Sequence, residues 1–140
     1  MPAANVTQVL DAYGHSPVAT GVALTAGAVS TTAAGTIAGT TAAGAAPTVT
    51  AVSAVDMYGT FTLNPVTGGG GQAAGAVAVV TFANSLPAVP RAVIVTGYDS
   101  ANAAAIAFAA TTVLASSFQI SAGVALTTAH SYVSSYEVLL

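Results

Sequence analysis

Glycine and proline interrupt this chain so often that few segments can grow into a helix, and that punctuation is the strongest constraint on its fold. In the first third, Gly21, Gly27, Gly35, Gly39 and Gly44 separate short runs of Ala, Thr and Val. Glycine marks turns, and β-branched residues favour extended backbone. Beyond Asp56 the extended segments become explicit. In GTFTLN (59–64), Phe61 and Leu63 fall on one face, with Thr60, Thr62 and Asn64 on the other, which is the period of a half-buried strand. AVAVVTF (76–82) and RAVIVTG (91–97) are apolar on both faces, as strands in a sandwich core are. SFQIS (117–121) sets Phe118 and Ile120 against Ser117, Gln119 and Ser121. The closing SYVSSYEVLL (131–140) sets Tyr132, Tyr136 and Val138 against Val133 and Glu137.

Turn-forming stretches, NPVTGGGG, NSLPAVP, GYDSAN and SAG, separate these runs. Six or seven short strands with turns at regular intervals predict an all-β fold, an antiparallel β-sandwich. The ambiguous segment is ANAAAIAFAATTVLA (101–115). Alanine favours helix, yet Ile106 and Phe108 alternate as in a strand. Strand is the expectation and helix the alternative.

The pattern divides the chain in two. Residues 1–55 form an Ala/Thr/Gly-rich N-terminal arm or assembly segment, and residues 56–140 the sandwich module. The first part offers few large apolar side chains beyond Val, Leu10, Leu24 and Ile37. Ordering each residue costs about 1–2 kcal/mol of backbone entropy, which Ala, Gly and Thr offset poorly. The arm is therefore expected to be extended and to order by adding strands to neighbouring chains, leaving a fragment from Asp56 able to fold alone. The pentapeptide GVALT recurs at 21 and 123, too short an echo in this alphabet to argue duplication.

Charge is nearly absent. Asp11, Asp56, Asp99, Glu137 and Arg91 are the only charged residues, 4% of 140, and there is no lysine. Nucleic-acid binding is excluded, because neutralising phosphates takes several basic side chains. Charge-rich disorder is excluded as well. The high mean hydropathy, +0.79, raises the question of a membrane span. The best window, residues 101–118, is mostly alanine and is broken by Thr, Ser and Asn, with no basic flanks, so no span is expected. The N-terminus carries neither a basic nor an apolar signal region. Without a secretory signal, the Asn5-Val6-Thr7 glycosylation pattern is read as chance. Cysteine is absent, which removes disulfides and thiolate metal sites. A surface built from Ala, Gly, Thr, Ser and Val, with so little charge to keep copies apart, tends to associate. A homo-oligomer is expected, with a trimer among the candidate forms.

No motif for chemistry survives inspection. The glycine run Gly68–Gly71 is not a phosphate-binding P-loop, which requires a lysine. Gly68, Gly70 and Ala73 fit the looser G-x-G-x-x-A pattern, but that pattern needs a following helix. A strand, GAVAVVTF, follows instead, and no acidic residue lies about 20 positions on. The run reads as a flexible loop between two antiparallel strands, so no cofactor is expected. There is no G-x-S-x-G nucleophile elbow. Asp11 and His15 are four apart, but Gly14 and Pro17 spoil the helix that would align them, leaving a local loop contact. His130 reads as a polar strand end. Two histidines and a few scattered acids form no metal-ligand cluster and no evident carboxylate pair for glycoside chemistry. The chain is expected to have no catalytic, cofactor or metal residues. Tyr98, beside Asp99 in TGYDSAN, is the expected exposed aromatic, a surface contact for a sugar or a partner protein. The alternative, a tyrosine capping its own sandwich edge, stays open.

Taken in order, the pieces of the second part resemble a recurring bacteriophage module. They are an Asp-x-x-Gly-Thr opening strand (Asp56, Gly59, Thr60), then a Gly-rich loop leading to a Val-Thr-Phe strand (Thr81, Phe82). A Pro-Arg-x-Val strand (Pro90, Arg91, Val93), an Asn/Ala-rich segment, a Phe-x-Ile strand (Phe118, Ile120) and a final aromatic strand (Tyr132, Tyr136) follow. The chain is similar here, over about 85 residues, to the β-sandwich at the C-terminal ends of phage minor tail and tail-fibre proteins. The resemblance implies a non-enzymatic virion component, commonly oligomeric, with other virion proteins such as the major capsid protein as partners. Fibre proteins carry this module on a long shaft or docking domain. Here about 55 low-complexity residues precede it, which suits a capsid decoration or a short head or neck fibre. A tail-fibre tip or adhesin gripping a host-surface glycan is the second expectation.

Overall fold

The computed structural model describes residues 35–65 and 72–140. Within them the chain forms nine β-strands and a single 3-10 turn, Thr41–Ala43. The strands are β1 (Thr36–Gly39), β2 (Thr48–Ala54), β3 (Tyr58–Asn64), β4 (Gly75–Thr81) and β5 (Ala92–Asp99). They continue with β6 (Ala104–Ile106), β7 (Phe108–Thr111), β8 (Ser117–Ala122) and β9 (Tyr132–Leu139). A four-stranded sheet has the order β1-β4-β8-β7 and a five-stranded sheet the order β2-β3-β9-β5-β6. Every pairing is antiparallel. The fold is the all-β antiparallel sandwich that the strand pattern predicts.

The alternation in the sequence is the alternation in the structure. Phe61 and Leu63 of β3, and Tyr132, Tyr136 and Val138 of β9, point inward and are buried. Phe118 and Ile120 of β8 meet them from the other sheet. Phe118 lies between Phe82, at 5.8 Å between ring centroids, and Tyr136, at 5.2 Å and edge-on. Such tilted and edge-to-face pairs add to the stabilisation from burial alone. A second pair, Phe108 and Tyr132 at 6.4 Å, closes the β7 side of the core.

Three expectations meet the structure differently. The ambiguous segment 101–115 is strand: β6 pairs with β5, and one residue later β7 pairs with β8, so the chain changes sheets at Ala107. Alanine's helix preference amounts to tenths of a kcal/mol per residue. Burying Phe108 in the core contributes more, about 1.5–3 kcal/mol. The boundary expected after Val55 does not fall at an edge of the sheets. β1 pairs with β4 from Thr36↔Thr81 to Gly39↔Ala78, and β2 pairs with β3 from Thr48↔Asn64 to Ala54↔Gly59. Ala43, between them, is fully buried in the core. Residues 36–54 thus add strands to their own chain. Lastly, β3 and β4, which flank the glycine run, lie in different sheets and do not pair with one another. The run itself, with Gly68 and Gly70 of the dinucleotide-like pattern, lies outside the described residues. So do residues 1–34 of the expected arm, including Asn5, Asp11 and His15.

Candidate functional site

Tyr98 and Asp99 were expected side by side in a loop. They are instead the last two residues of β5, and the pleat sends them to opposite faces. Tyr98 is exposed on the outer face of the five-stranded sheet, whereas Asp99 is 7% exposed. The Asp99 carboxylate accepts the Ala101 backbone N–H at 2.9 Å and the Asn102 side-chain amide at 3.0 Å. His130 Nδ1 lies 2.9 Å from its Oδ2. Burial pushes this carboxyl upward most strongly, but the His130 hydrogen bond, two backbone N–H groups and the imidazolium charge together hold it below its ordinary value.

The surrounding bonds show what this arrangement does. Ser100 Oγ donates to the Ser131 carbonyl at 2.8 Å, and Ser131 Oγ donates to Asn64 at 2.7 Å. The Tyr132 hydroxyl accepts the Thr127 N–H at 2.7 Å, and its ring lies 6.2 Å from that of His130. An aspartate on Nδ1 is how a catalytic histidine is oriented, but both neighbouring serine hydroxyls are aimed at carbonyl-type acceptors. The network clasps the β5–β6 turn, the loop before β9 and the end of β3. Sequence reading took His130 for a polar strand end. The 31 positions separating it from Asp99 carry no local signal of the pair.

A second clasp lies at the opening of β3. Asp56 is completely buried, and its two oxygens accept the N–H groups of Ala83 (2.7 Å) and Asn84 (3.3 Å). Beside it, the Tyr136 hydroxyl donates to the Val55 carbonyl at 2.7 Å. Burial, and then the Asp56 charge, push the Tyr136 phenol up to about 12. Gly59 completes the set. A Cβ there would stand 2.5 Å from the Ala54 Cβ and 2.8 Å from the Tyr136 ring. The Asp-x-x-Gly-Thr piece therefore has a structural reason: an acid that ties down the loop after Phe82, and a glycine that lets β2 and the Tyr136 ring close over it.

An open depression of about 530 Å³ lies on the outer face of the five-stranded sheet. Its centre is Glu137, in register with Tyr58 on β3 and Ile94 on β5. The next row along is Thr60, Ser135 and Thr96. The depression thus offers an exposed phenol ring, an aliphatic side chain, a row of hydroxyls and a carboxylate. Tyr98 is on the same face, two residues beyond Thr96 on its strand. Among the described residues no three His, Asp or Glu side chains lie together as metal ligands, and no helix is long and apolar enough to cross a membrane. Comparison with known protein families, with curated proteins and with solved structures returned no match.

Proposed function

We propose that this chain is a non-enzymatic structural protein of a bacteriophage particle, decorating or cementing the particle surface as a capsid decoration or a short head or neck fibre. The observation that carries the reading is the disposition of charge. No strand of the four-stranded sheet contains a charged residue. In the five-stranded sheet only Asp99 and Glu137 are charged, and Asp99 is turned into its clasp. Two broad faces of hydroxyl-bearing and apolar side chains suit a protein covered by neighbouring copies and by a capsid protein. The order of the strand motifs supports the same class. Cryo-electron microscopy of intact particles tests it: copies on the icosahedral lattice or at the neck are expected. Absence of the chain from purified particles would overturn it.

The second reading, a tail-fibre tip or adhesin that binds a host-surface glycan, is favoured by Tyr58 beside the hydroxyl row. An aromatic face with flanking hydroxyls is a platform for a sugar ring. Copies confined to the tail tip, together with glycan binding lost in Tyr58→Ala, would select it.

A further inference from the structure

Among the described residues three acids carry charge, and two of them are answered internally. Asp56 accepts the N–H groups of residues 83 and 84, and Asp99 is held in its clasp with His130. Glu137 is different. It is exposed at the centre of the depression on the outer face of the five-stranded sheet, and its carboxylate makes no ion pair or hydrogen bond among the described residues. The only Lys or Arg in the whole chain is Arg91. It lies just before β5, three residues from Ile94, so strand alternation sets it with Val93 and not with the outward row that holds Ile94 and Glu137. Burying a carboxylate without a partner charge is costly. A protein that covers this face must therefore bring its own cation.

We propose that this depression receives an arginine side chain from a partner protein. Glu137 stands directly opposite Tyr58 on one side and Ile94 on the other. Side chains so paired have Cβ atoms about 4.5–5.5 Å apart. Tyr58 is 60% exposed, so an aromatic face is open beside the carboxylate. A guanidinium meets both groups at once: its planar fork donates two N–H groups to a carboxylate, and its face stacks on an aromatic ring. A lysine ammonium pairs only as a point charge. The aliphatic stem of the arginine has Ile94 to lie against. The hydroxyls of Thr60, Ser135 and Thr96 form the next row, about 7 Å along the strands. They can accept the guanidinium N–H groups turned away from Glu137. At about 530 Å³ the depression has room for the side chain and for the partner's backbone beside it. A neutral sugar would use the ring and the hydroxyls but leave the charge unanswered, so the carboxylate favours a cationic guest.

The assignment takes from the preceding reading only that a partner protein covers this face, so its test and the particle imaging fail separately. The probe is the capped tripeptide acetyl-Gly-Arg-Gly-amide, titrated into the full chain labelled with nitrogen-15. Two further peptides replace its arginine by lysine or by citrulline, the uncharged isostere. Amide shifts are expected on β3, β5 and β9 around Tyr58, Ile94 and Glu137, and they should weaken as salt is added. The arginine peptide should bind more tightly than the lysine peptide, and citrulline should leave the amides in place. Glu137→Gln and Tyr58→Ala should each weaken binding by about two- to fivefold, with circular dichroism checking that both variants are folded. The citrulline comparison and the salt series use the wild-type chain and hold even if a variant fails to fold. Equal binding of citrulline or lysine, shifts centred elsewhere, or a folded Glu137→Gln chain that binds unchanged would each overturn the proposal. So would shifts at this face produced by a neutral oligosaccharide and not by the arginine peptide. Shifts that grow with protein concentration alone and vanish in Arg91→Ala would put a second copy in the depression and overturn the partner assignment.

Discussion

Replacing Asp56 by alanine is the sharpest test of how the sandwich is held shut. The side chain is completely buried and accepts two backbone N–H groups, at 2.7 and 3.3 Å, from the stretch that follows Phe82. A hydrogen bond to a charged group contributes about 1.5–3 kcal/mol. Counting the short bond in full and the long one at the low end, Asp56→Ala should cost about 2–4 kcal/mol. Small domains have a total stability of only about 5–15 kcal/mol. With a urea dependence of about 1–3 kcal/mol per molar, the unfolding midpoint should fall by about 1–2 M. A second readout is specific to the clasp. The Asp56 charge is the lesser of two influences raising the Tyr136 phenol, so its removal should bring that phenol down from about 12 while burial still keeps it above normal. Absorbance of tyrosinate against pH follows this directly. A midpoint unchanged within error would refute the argument, because it would mean that water replaces the carboxylate at no cost. A lowered midpoint with an unmoved Tyr136 would instead remove the Asp56 charge from the account of that phenol.

Four further outcomes are expected. Tyr136 has a folded pKa of about 12 against about 10 unfolded, so its contribution is complete below pH 10 and is lost as pH rises through 12. Tyr136→Phe should remove this alkaline component of the transition and cost about 1 kcal/mol for the bond to Val55. The Asp99 carboxyl is lowered, so its contribution is present above the ordinary carboxylate value near 4 and is lost as pH falls through the still lower folded value. His130→Gln should move the acid midpoint, read by circular dichroism, to higher pH. Gly59→Ala and Gly75→Ala should both destabilise, by about 1–3 kcal/mol, but for different reasons. Ala54→Gly should partly rescue the first, a clash, and leave the second, a residue at φ +133 with open space around it, unimproved. Finally, a fragment of residues 35–140 should give the far-ultraviolet spectrum of the whole folded sandwich, whereas one starting at Asp56 loses β1, β2 and the buried Ala43 and should melt at lower temperature or fail to fold. Equal melting temperatures would show that the first two strands are dispensable.

Much of the fold is legible in the sequence wherever a strand has one wet face. GTFTLN, SFQIS and the closing aromatic strand declare their buried sides, because period-2 alternation requires an apolar residue at every second position. Charge scarcity, read from composition, foreshadows sheets whose strands carry only Asp99 and Glu137 as charged residues. The same reading missed β1 and β2 as parts of the core. Their residues are small and weakly apolar, and what holds them is the edges of β4 and β3, partners 39 to 45 positions away from Gly39↔Ala78 to Thr36↔Thr81 and 5 to 16 away along β2.

The amino-acid order by itself determined the fold class, the inward set of aromatics and the strand character of the second half, since these follow from local propensity and periodicity. Tertiary structure decided everything that depends on which strands meet. It set Asp99 against His130 and Asp56 against the backbone at 83 and 84, and it put Glu137 level with Tyr58 and Ile94. A hydrogen bond acts over about 3 Å, while its partners here are separated by tens of residues. Only the register of the sheets brings them together, and no pattern local to either partner encodes it.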